Sequence, residues 1–339
     1  MPTATITHIP LGGKVTEPGF YMMPAATYHR DPCPEPSLSN SIAKLLVYKS
    51  PEHGFHNHPR LNVGHRNGGD AQRIAEIGSV AHKLLLGAGA EIVEIPFADY
   101  YKGDAKDARA NAYAAGNLPI LQPDLERCYE MAAVARKRFP AMHPDIAKTL
   151  EAGQGIPELV TIHTEIIQAH GQPYTVWFRA MRDLVRKDLI VTLDYKTTAD
   201  AHPDTCDRRI EQNRFFMQPP FYDRCLDALD PDGAGRRRFY FLYQEQREPF
   251  ACSFKVLTQE NYDRGADDVE LAVGAWAGCR VKDEWPSYLQ QPYADIPPWA
   301  RGAWMARTGR DGERYTSSPP PADDNDGPGK GFSSIIDAL

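Results

Sequence analysis

The chain has 339 residues, a formal net charge of −7, and 42% hydrophobic residues. This composition predicts a soluble globular protein with one large domain or two smaller ones. No apolar run is long enough to span a membrane, and residues 1–13 lack the basic start and apolar centre of a signal peptide, so we expect a cytoplasmic location. The six cysteines form no C-x-x-C pair, which disfavours zinc and iron–sulfur sites. The negative charge does not indicate a nucleic-acid binder, although metal-binding carboxylates and an acidic tail can conceal a local basic groove.

In the first half of the chain, apolar spacing predicts helices mixed with short strands. The predicted helices run from about Ser41 to Ser50-Pro51 and over residues 71–87, 123–139 and 143–150, and the predicted strands cover 91–97, 118–121 and 158–168. We expect an extended lead-in over residues 1–20, a polar loop at 62–70 and an irregular connection at 100–117. Gly78 lies in mid-helix, where glycine costs about 1 kcal/mol relative to alanine. This glycine predicts the close approach of another backbone.

The centre of the chain, residues 174–196, predicts two strands joined by a short charged turn, with strands over 174–181 and 188–195. Asp183 and Asp194 then lie near the ends of paired strands. Residues i and i+2 of a strand point to the same face, so Asp194 and Lys196 can share one site. Carboxylates suit Mg²⁺, and a nearby lysine can act on water or on a phosphate. The alternative is a hairpin with ordinary turn charges.

The second half predicts a loop after Lys196 and then a helix that starts near Met217, because Pro219-Pro220 fits only a first helical turn. Gln218 and Tyr222 would share a face of this helix. Antiparallel strands are predicted at 238–244 and 250–256, and an amphipathic helix at 259–279. The Pro- and aromatic-rich segment 285–300 is expected to wrap over the surface. From about Arg307 we expect a disordered tail, which ends in an apolar peptide, residues 331–339, that is either a docking segment or a remnant.

Five short motifs occur in a characteristic order: Gly78-x-x-x-His82 on a helix, Glu158 on a strand, Asp183, Asp194-x-Lys196, and Gln218-x-x-x-Tyr222 on a helix. This order resembles the RecB-like branch of the PD-(D/E)xK nuclease superfamily. Segments around these motifs are similar to the nuclease domain of exodeoxyribonuclease VIII (RecE) and its phage relatives, over roughly residues 20–305. The resemblance implies an α/β fold with a restriction-endonuclease-like core, in which helices flank a central mixed sheet. It divides the chain into a lead-in (1–20), a nuclease domain (21–306) and an acidic tail (307–339).

The resemblance also implies roles for individual residues. His82, Asp183, Asp194 and the Tyr195 carbonyl would bind Mg²⁺ or Mn²⁺. Lys196 would act on the attacking water or stabilise the phosphate. Glu158 would sit beside the metal site, with Glu151 and Glu165 as competitors for this position. Gln218 and Tyr222 would hold the DNA backbone or the lysine.

Two further DNA contacts are suggested by local chemistry. Arg182 could bind a phosphate, and the alternative is a solvated turn arginine. Ser39 and Ser41 lie at a predicted helix N-terminus with Lys44 one turn later, which is typical of an anion site and could hold a terminal phosphate. The alternative is simple helix capping.

The implied activity is a metal-dependent 5′→3′ exonuclease on linear double-stranded DNA ends. It would leave 3′ single strands for phage-type recombination, with an annealing protein as a possible partner and a homo-tetramer or homo-trimer as the assembly. Alternatives on the same fold are a structure- or end-specific endonuclease, including a Cas4-like enzyme, and a non-catalytic DNA-binding relative. The lack of a cysteine cluster counts against the Cas4-like version.

Overall fold

The structure is a computed structural model that describes residues 5–62, 72–288 and 296–308. The predicted polar loop, apart from Asn62, lies outside these ranges, as do the C-terminal peptide and nearly all of the predicted tail. The chain divides into two compact units, Met1–Pro286 and Ser287–Leu339. The second unit contains one described helix, Pro298–Thr308. All other helices and strands of the described residues lie in the first unit.

A mixed β-sheet forms the centre of this unit. Its strands are β1 (Ile6–His8), β2 (Gly19–Met22), β3 (Leu38–Ser39), β6 (Gly155–Ala169), β7 (Gln172–Arg186), β8 (Val191–Thr198), β9 (Arg238–Glu245) and β10 (Cys252–Lys255), and a separate parallel pair consists of β4 (Ile92–Ile95) and β5 (Leu118–Leu121). The order is β1-β2-β6-β7-β8-β9-β10, with β3 beside β7. β8 and β9 are parallel, whereas β6, β7 and β8 are successively antiparallel. The predicted lead-in, residues 1–20, therefore contributes β1 and the start of β2 to the sheet.

Helices flank the sheet, which confirms the predicted mixed α/β class with a central mixed sheet. They are α1 (Ala25–His29), α2 (Asn40–Tyr48), α3 (Pro51–Asn57), α4 (Gln72–Leu86), α5 (Gly103–Ala114), α6 (Gln122–Met142), α7 (Pro144–Leu150), α8 (Pro203–Gln212), α9 (Gln218–Asp227) and α10 (Gln259–Lys282), with a short 3₁₀ turn at Phe215–Met217. Two of them, α5 and α8, were wrongly predicted as irregular. In α8 the buried residues are only Cys206 and Ile210, too few to show helical spacing. α5 is anchored by tertiary contacts, since Arg109 and Tyr113 both donate to the buried Glu76 carboxylate.

The central hairpin is longer than predicted. β7 does not end at Arg182-Asp183 but continues to Arg186, because Leu184 pairs with Leu193 and is buried against it. The turn falls at residues 187–190, where the Asp188 carboxylate accepts hydrogen bonds from Arg186 and from the Ile190 N–H. Asp183 is consequently a mid-strand residue.

Helix α4 packs against β8 over an extensive hydrophobic core. Ile77, Val80 and Ala81 are buried there with Leu193 and Tyr195, and full burial of a large apolar side chain contributes about 1.5–3 kcal/mol. A Cβ atom on Gly78 would lie 3.2 Å from Thr197 Oγ1. The predicted close approach exists, but the neighbour is a side-chain hydroxyl rather than a backbone.

None of the helices in the described ranges combines the length and apolar character needed to cross a bilayer. All six cysteines lie within these ranges as free thiols, and five of them are buried.

Candidate active site

A cavity of about 770 Å³ opens beside the C-terminal half of β8. Its walls come from α4 and the turn after it, from β6, β7 and β8, from the first turn of α9, and from the first residues of α1 and β5. Seven of the predicted site residues line it: His82, Glu158, Asp183, Asp194, Tyr195, Lys196 and Gln218. These residues come from five different elements, so their meeting is a property of the tertiary structure.

Asp183 and His82 form the first pair in the cavity. His82 Nε2 lies 3.2 Å from Asp183 Oδ2, and the Tyr195 N–H donates to the same oxygen at 2.9 Å. Burial acts to raise the pKa of Asp183, but His82 and Lys196 outweigh it, so this pKa is lowered. Burial acts in the opposite sense on His82, and the neighbouring Asp183 and Glu158 carboxylates raise the pKa of the imidazole above its usual value. The pair therefore favours an imidazolium and a carboxylate.

Asp194 and Lys196 form the second pair, on one face of β8 as the strand period predicts. Lys196 Nζ lies 2.5 Å from Asp194 Oδ2. On the other oxygen, Gln218 Nε2 donates to Asp194 Oδ1 at 2.5 Å, and Lys196 also reaches Gln218 Oε1 at 3.5 Å. Burial raises the pKa of Asp194, and the charge of Asp183 adds to this in spite of the lysine. Asp194 is a carboxylate that needs positive charge close to it.

Glu158 enters the cavity through an unusual backbone conformation. Its φ is +49°, in the left-handed region that non-glycine residues rarely adopt. The β6–β7 pairs Pro157↔Leu184 and Leu159↔Arg182 flank it, and the position opposite Asp183 is left unpaired. Burial raises the pKa of Glu158. The local distortion places this carboxylate beside Asp183.

The two competitors for the acidic position lie elsewhere. Glu151 is an exposed residue at the end of α7. Glu165 is held by His163 Nε2 at 2.8 Å and by Arg224 Nε at 2.8 Å. Neither lines the cavity, so Glu158 is the glutamate of this site.

The donor set suits a hard divalent cation, since carboxylate oxygens and an imidazole nitrogen are ligands that Mg²⁺ or Mn²⁺ accepts. Asp194 Oδ2 is buried and lacks a well-oriented hydrogen bond, although Lys196 lies beside it. Within the described part of the chain, no three His, Cys, Asp or Glu residues converge closely enough to hold an ion as they stand. Asp194 faces Lys196 and Gln218, whereas Asp183 faces His82. Metal binding would therefore require small side-chain rotations in which the ion replaces these internal partners.

Two predicted DNA contacts lie away from the cavity. Arg182 is fully buried, donates from Nη1 to Thr161 Oγ1 at 3.0 Å, and also donates to the Tyr222 carbonyl. It is neither a phosphate ligand on the surface nor a solvated turn arginine. Strand alternation places it on the face opposite Asp183, because β7 continues through this position. The Tyr222 ring packs 5.3 Å from the Arg182 guanidinium and does not line the cavity.

The predicted anion site at the start of α2 has a different arrangement. Ser39 Oγ and Ser41 Oγ are 3.0 Å apart and bond each other, and the Ser39 side chain makes no capping bond. Lys44 Nζ donates to the Asn213 carbonyl at 3.3 Å and lies 5.4 Å from the centroid of the Phe215 ring.

Phe215 packs against a residue of the cavity, and the sequence reasoning missed this contact. Lys196 Nζ lies 4.1 Å from the centroid of its ring. Phe215 follows Arg214, whose φ of +53° reverses the chain before the 3₁₀ turn. The only sequence signal was an aromatic pair just before the Gln218 helix, and nothing local connected it with the lysine.

Comparisons with known proteins give structural neighbours alone. No family model and no curated protein matches the sequence. A structure described as a "putative exonuclease" from Eubacterium rectale superimposes with a TM-score of 0.46 at 12% identity, over 76% of this chain and 91% of that one. The SSO0001 structure gives a TM-score of 0.22 at 14% identity, over 60% of this chain and 88% of that one. At these scores the neighbours identify no family, and the site is interpreted from its own geometry.

Proposed function

We propose that this protein is a phosphodiester hydrolase, a metal-dependent nuclease that acts on DNA. One observation carries the proposal: a histidine, three carboxylates, a lysine and a glutamine, spread from position 82 to position 218, line a single cavity. Such a set combines ligands for a divalent cation with a cation for the phosphate. A cluster that served only the fold would be closed by its own hydrogen bonds and would not open into a cavity of this size.

His82, Glu158, Asp183 and Asp194 would hold the ion, with the Tyr195 carbonyl as a further proposed ligand. When bound, Mg²⁺ or Mn²⁺ would supply an activated water and neutralise charge on the scissile phosphate. Lys196 would leave Asp194 to stabilise the charge that develops on the phosphoryl oxygens or to orient the water. Gln218 would keep Asp194 in place through the hydrogen bond from its amide.

We further propose that the enzyme is a 5′→3′ exonuclease on linear duplex ends that leaves 3′ single strands for recombination. Support comes from the order of the sequence motifs, which resembles that of RecE nuclease domains. A ring-shaped homo-oligomer and an annealing partner belong to the same proposal. Light scattering of the purified protein tests the oligomer, and co-purification with a candidate annealing protein tests the partner.

The decisive experiment compares linear and covalently closed circular duplex of the same sequence, each incubated with Mg²⁺, Mn²⁺ or EDTA. We expect digestion of linear DNA with either metal and no digestion with EDTA. The Asp194→Asn variant serves as the negative control against a contaminating nuclease. Labels placed at the 5′ or the 3′ end determine the polarity.

Each other outcome selects a different function. Cleavage of the circle would replace the exonuclease with an endonuclease. Binding without cleavage in every metal would leave only a DNA-binding protein. Absence of both activities would remove the proposal.

A further inference from the structure

Two ammonium groups lie close to one aromatic ring. Lys196 Nζ is 4.1 Å and Lys44 Nζ is 5.4 Å from the centroid of Phe215. The lysines come from β8 and α2, and the ring comes from the 3₁₀ turn before α9. The electron-rich face of an aromatic ring attracts cations, so Phe215 can hold both groups beside the cavity.

The charges around this ring do not balance. Lys196 is paired with Asp194, whereas Lys44 forms no ion pair with any acidic group in the described residues. Its polar partner is the Asn213 carbonyl, and a carbonyl oxygen does not neutralise a cation. Burial, together with the positive charge of Lys196, lowers the pKa of Lys44 to about 8. A half-buried cation of this kind is stabilised when an anion joins it.

The ring itself is held from several sides. Phe215 stacks on Phe241 with the centroids 6.2 Å apart. The next residue, Phe216, is fully buried beneath the Arg264 guanidinium, which lies 4.1 Å from the centre of its ring. Arg264 Nη1 is in turn fixed by Glu211 Oε2 at 2.8 Å. The Phe215 ring and the 3₁₀ turn that carries it are therefore held in place before any ligand binds.

We propose that Lys44 and Phe215 form, together with Lys196, a second phosphate position, which binds the DNA phosphate next to the one that is cleaved. The inference rests on the proposed nuclease function and gives it a substrate contact. Lys44 supplies the charge, and Phe215 is a positioning residue that fixes both ammonium groups. Ser39 and Ser41, whose hydroxyls bond each other, are not needed for it.

The first test measures binding without cleavage. A short fluorescein-labelled duplex is titrated by anisotropy in EDTA for the wild type, Lys44→Met and Lys49→Met, at several salt concentrations. Lys49 is a matched control because it is an exposed lysine at the end of the same helix. We expect Lys44→Met to weaken binding roughly tenfold and to reduce the slope of log Kd against log salt by about 1. Lys49→Met should change neither.

The second test concerns the ring. Phe215→Leu should raise KM more than it lowers kcat, and Phe215→Tyr should restore both. The double variant Lys44→Met/Phe215→Leu should bind DNA no more than about twofold more weakly than Lys44→Met alone, because both changes disable one site. If the ring had a purely structural role, Phe215→Leu would instead lower Tm and leave the slope of log Kd against log salt unchanged.

The source of the phosphate is decided by comparing duplexes with 5′-phosphoryl and 5′-hydroxyl ends. Loss of affinity confined to phosphorylated ends identifies a terminal phosphate, and equal loss with both identifies an internal phosphodiester. An unchanged affinity and salt slope in Lys44→Met, with a wild type that still cleaves DNA, would overturn this inference alone. A wild type that neither binds nor cleaves would overturn the proposed function with it.

Discussion

Two clusters in this molecule combine the same residue types in different arrangements. Around Asp31, the carboxylate accepts from the Ser37 N–H at 2.9 Å and from Ser37 Oγ at 2.7 Å, with His58 Nε2 and Arg179 Nη1 both at 3.4 Å. Asp31 is 0% exposed. In the cavity, an aspartate, a histidine and a basic residue also meet, but the Asp183 side chain keeps 27% of its surface exposed.

The difference lies in whether the protein itself completes the hydrogen bonding. Burial acts to raise the pKa of Asp31, yet Arg179, His58 and Ser37 hold it well below its usual range. In the cavity, His82 and Lys196 also lower the pKa of Asp183, but for Asp194 the balance goes the other way and the pKa is raised. A closed network of this kind stabilises the fold, whereas we propose that the open one in the cavity serves to bind a ligand.

Substitutions of the central aspartates should have the largest effects, and these effects should differ between the two clusters. Asp194→Asn should lower cleavage by roughly 10³-fold or more and should cost less stability than Asp31→Asn, because removal of a costly buried charge offsets the loss of the partner of Lys196. Asp31→Asn should destabilise the fold by about 3–5 kcal/mol, because Arg179 and His58 lose their partner. The folded fraction of that variant should still cleave DNA.

Urea unfolding and a nuclease assay on the same preparations measure both quantities. If Asp194→Asn unfolded as readily as Asp31→Asn, the Lys196–Asp194 pair would be structural and the contrast between the clusters would be lost.

A smaller effect is expected at Glu158. Glu158→Gln should lower cleavage by about 10- to 100-fold, since it keeps the size of the side chain but removes its charge. Glu158→Gly should lose as much activity and yet gain stability, because glycine adopts a positive φ without cost. Wild-type rates in the Gln variant would show that the left-handed conformation serves folding rather than the site.

Glycine substitutions on α10 test how closely this helix must pack against the 3₁₀ turn that carries Phe215. A Cβ atom on Gly265 would overlap the Phe216 carbonyl oxygen, whereas one on Gly274 of the same helix would meet nothing within 4 Å. Gly265→Ala should therefore destabilise the fold by about 1–3 kcal/mol. It should also slow cleavage several-fold, because the displaced turn carries Phe215 and leads into Gln218.

The matched Gly274→Ala should stabilise the helix by up to about 1 kcal/mol. Thermal unfolding together with the nuclease assay compares the two variants. Equal stability in both would mean that α10 does not constrain the turn.

The smallest effect is a pH dependence at a structural carboxylate. Burial acts to raise the pKa of Glu165, but His163 and Arg224 lower it from 4.5 to about 2. A folded pKa below the unfolded value means that the stabilisation is present above pH 4.5 and is lost as the pH falls towards 2. We expect about 1 kcal/mol after solvent screening.

Glu165→Gln should flatten this part of the stability curve in denaturation series between neutral and acidic pH. Its cleavage rate at neutral pH should stay at the wild-type level. A large fall in rate would reopen Glu165 as a site residue.

The sequence by itself determined the local parts of this protein. The period of two along β8 placed Asp194 and Lys196 on one face, and Pro219-Pro220 fixed the start of the helix that carries Gln218. Such rules act between neighbours in the chain, and they held. They failed for α8, where the apolar face was too short to show a period.

The tertiary structure alone decided which residues meet. The continuation of β7 beyond Asp183 buried Arg182. The left-handed backbone at Glu158 brought this glutamate, rather than Glu151 or Glu165, into the cavity. Packing of the 3₁₀ turn brought the centroid of Phe215 within 5.4 Å of Lys44 Nζ and 4.1 Å of Lys196 Nζ. Periodicity fixes a side chain's direction within its own element, but distances between elements depend on sheet register and helix packing, which are set by contacts far apart in the chain.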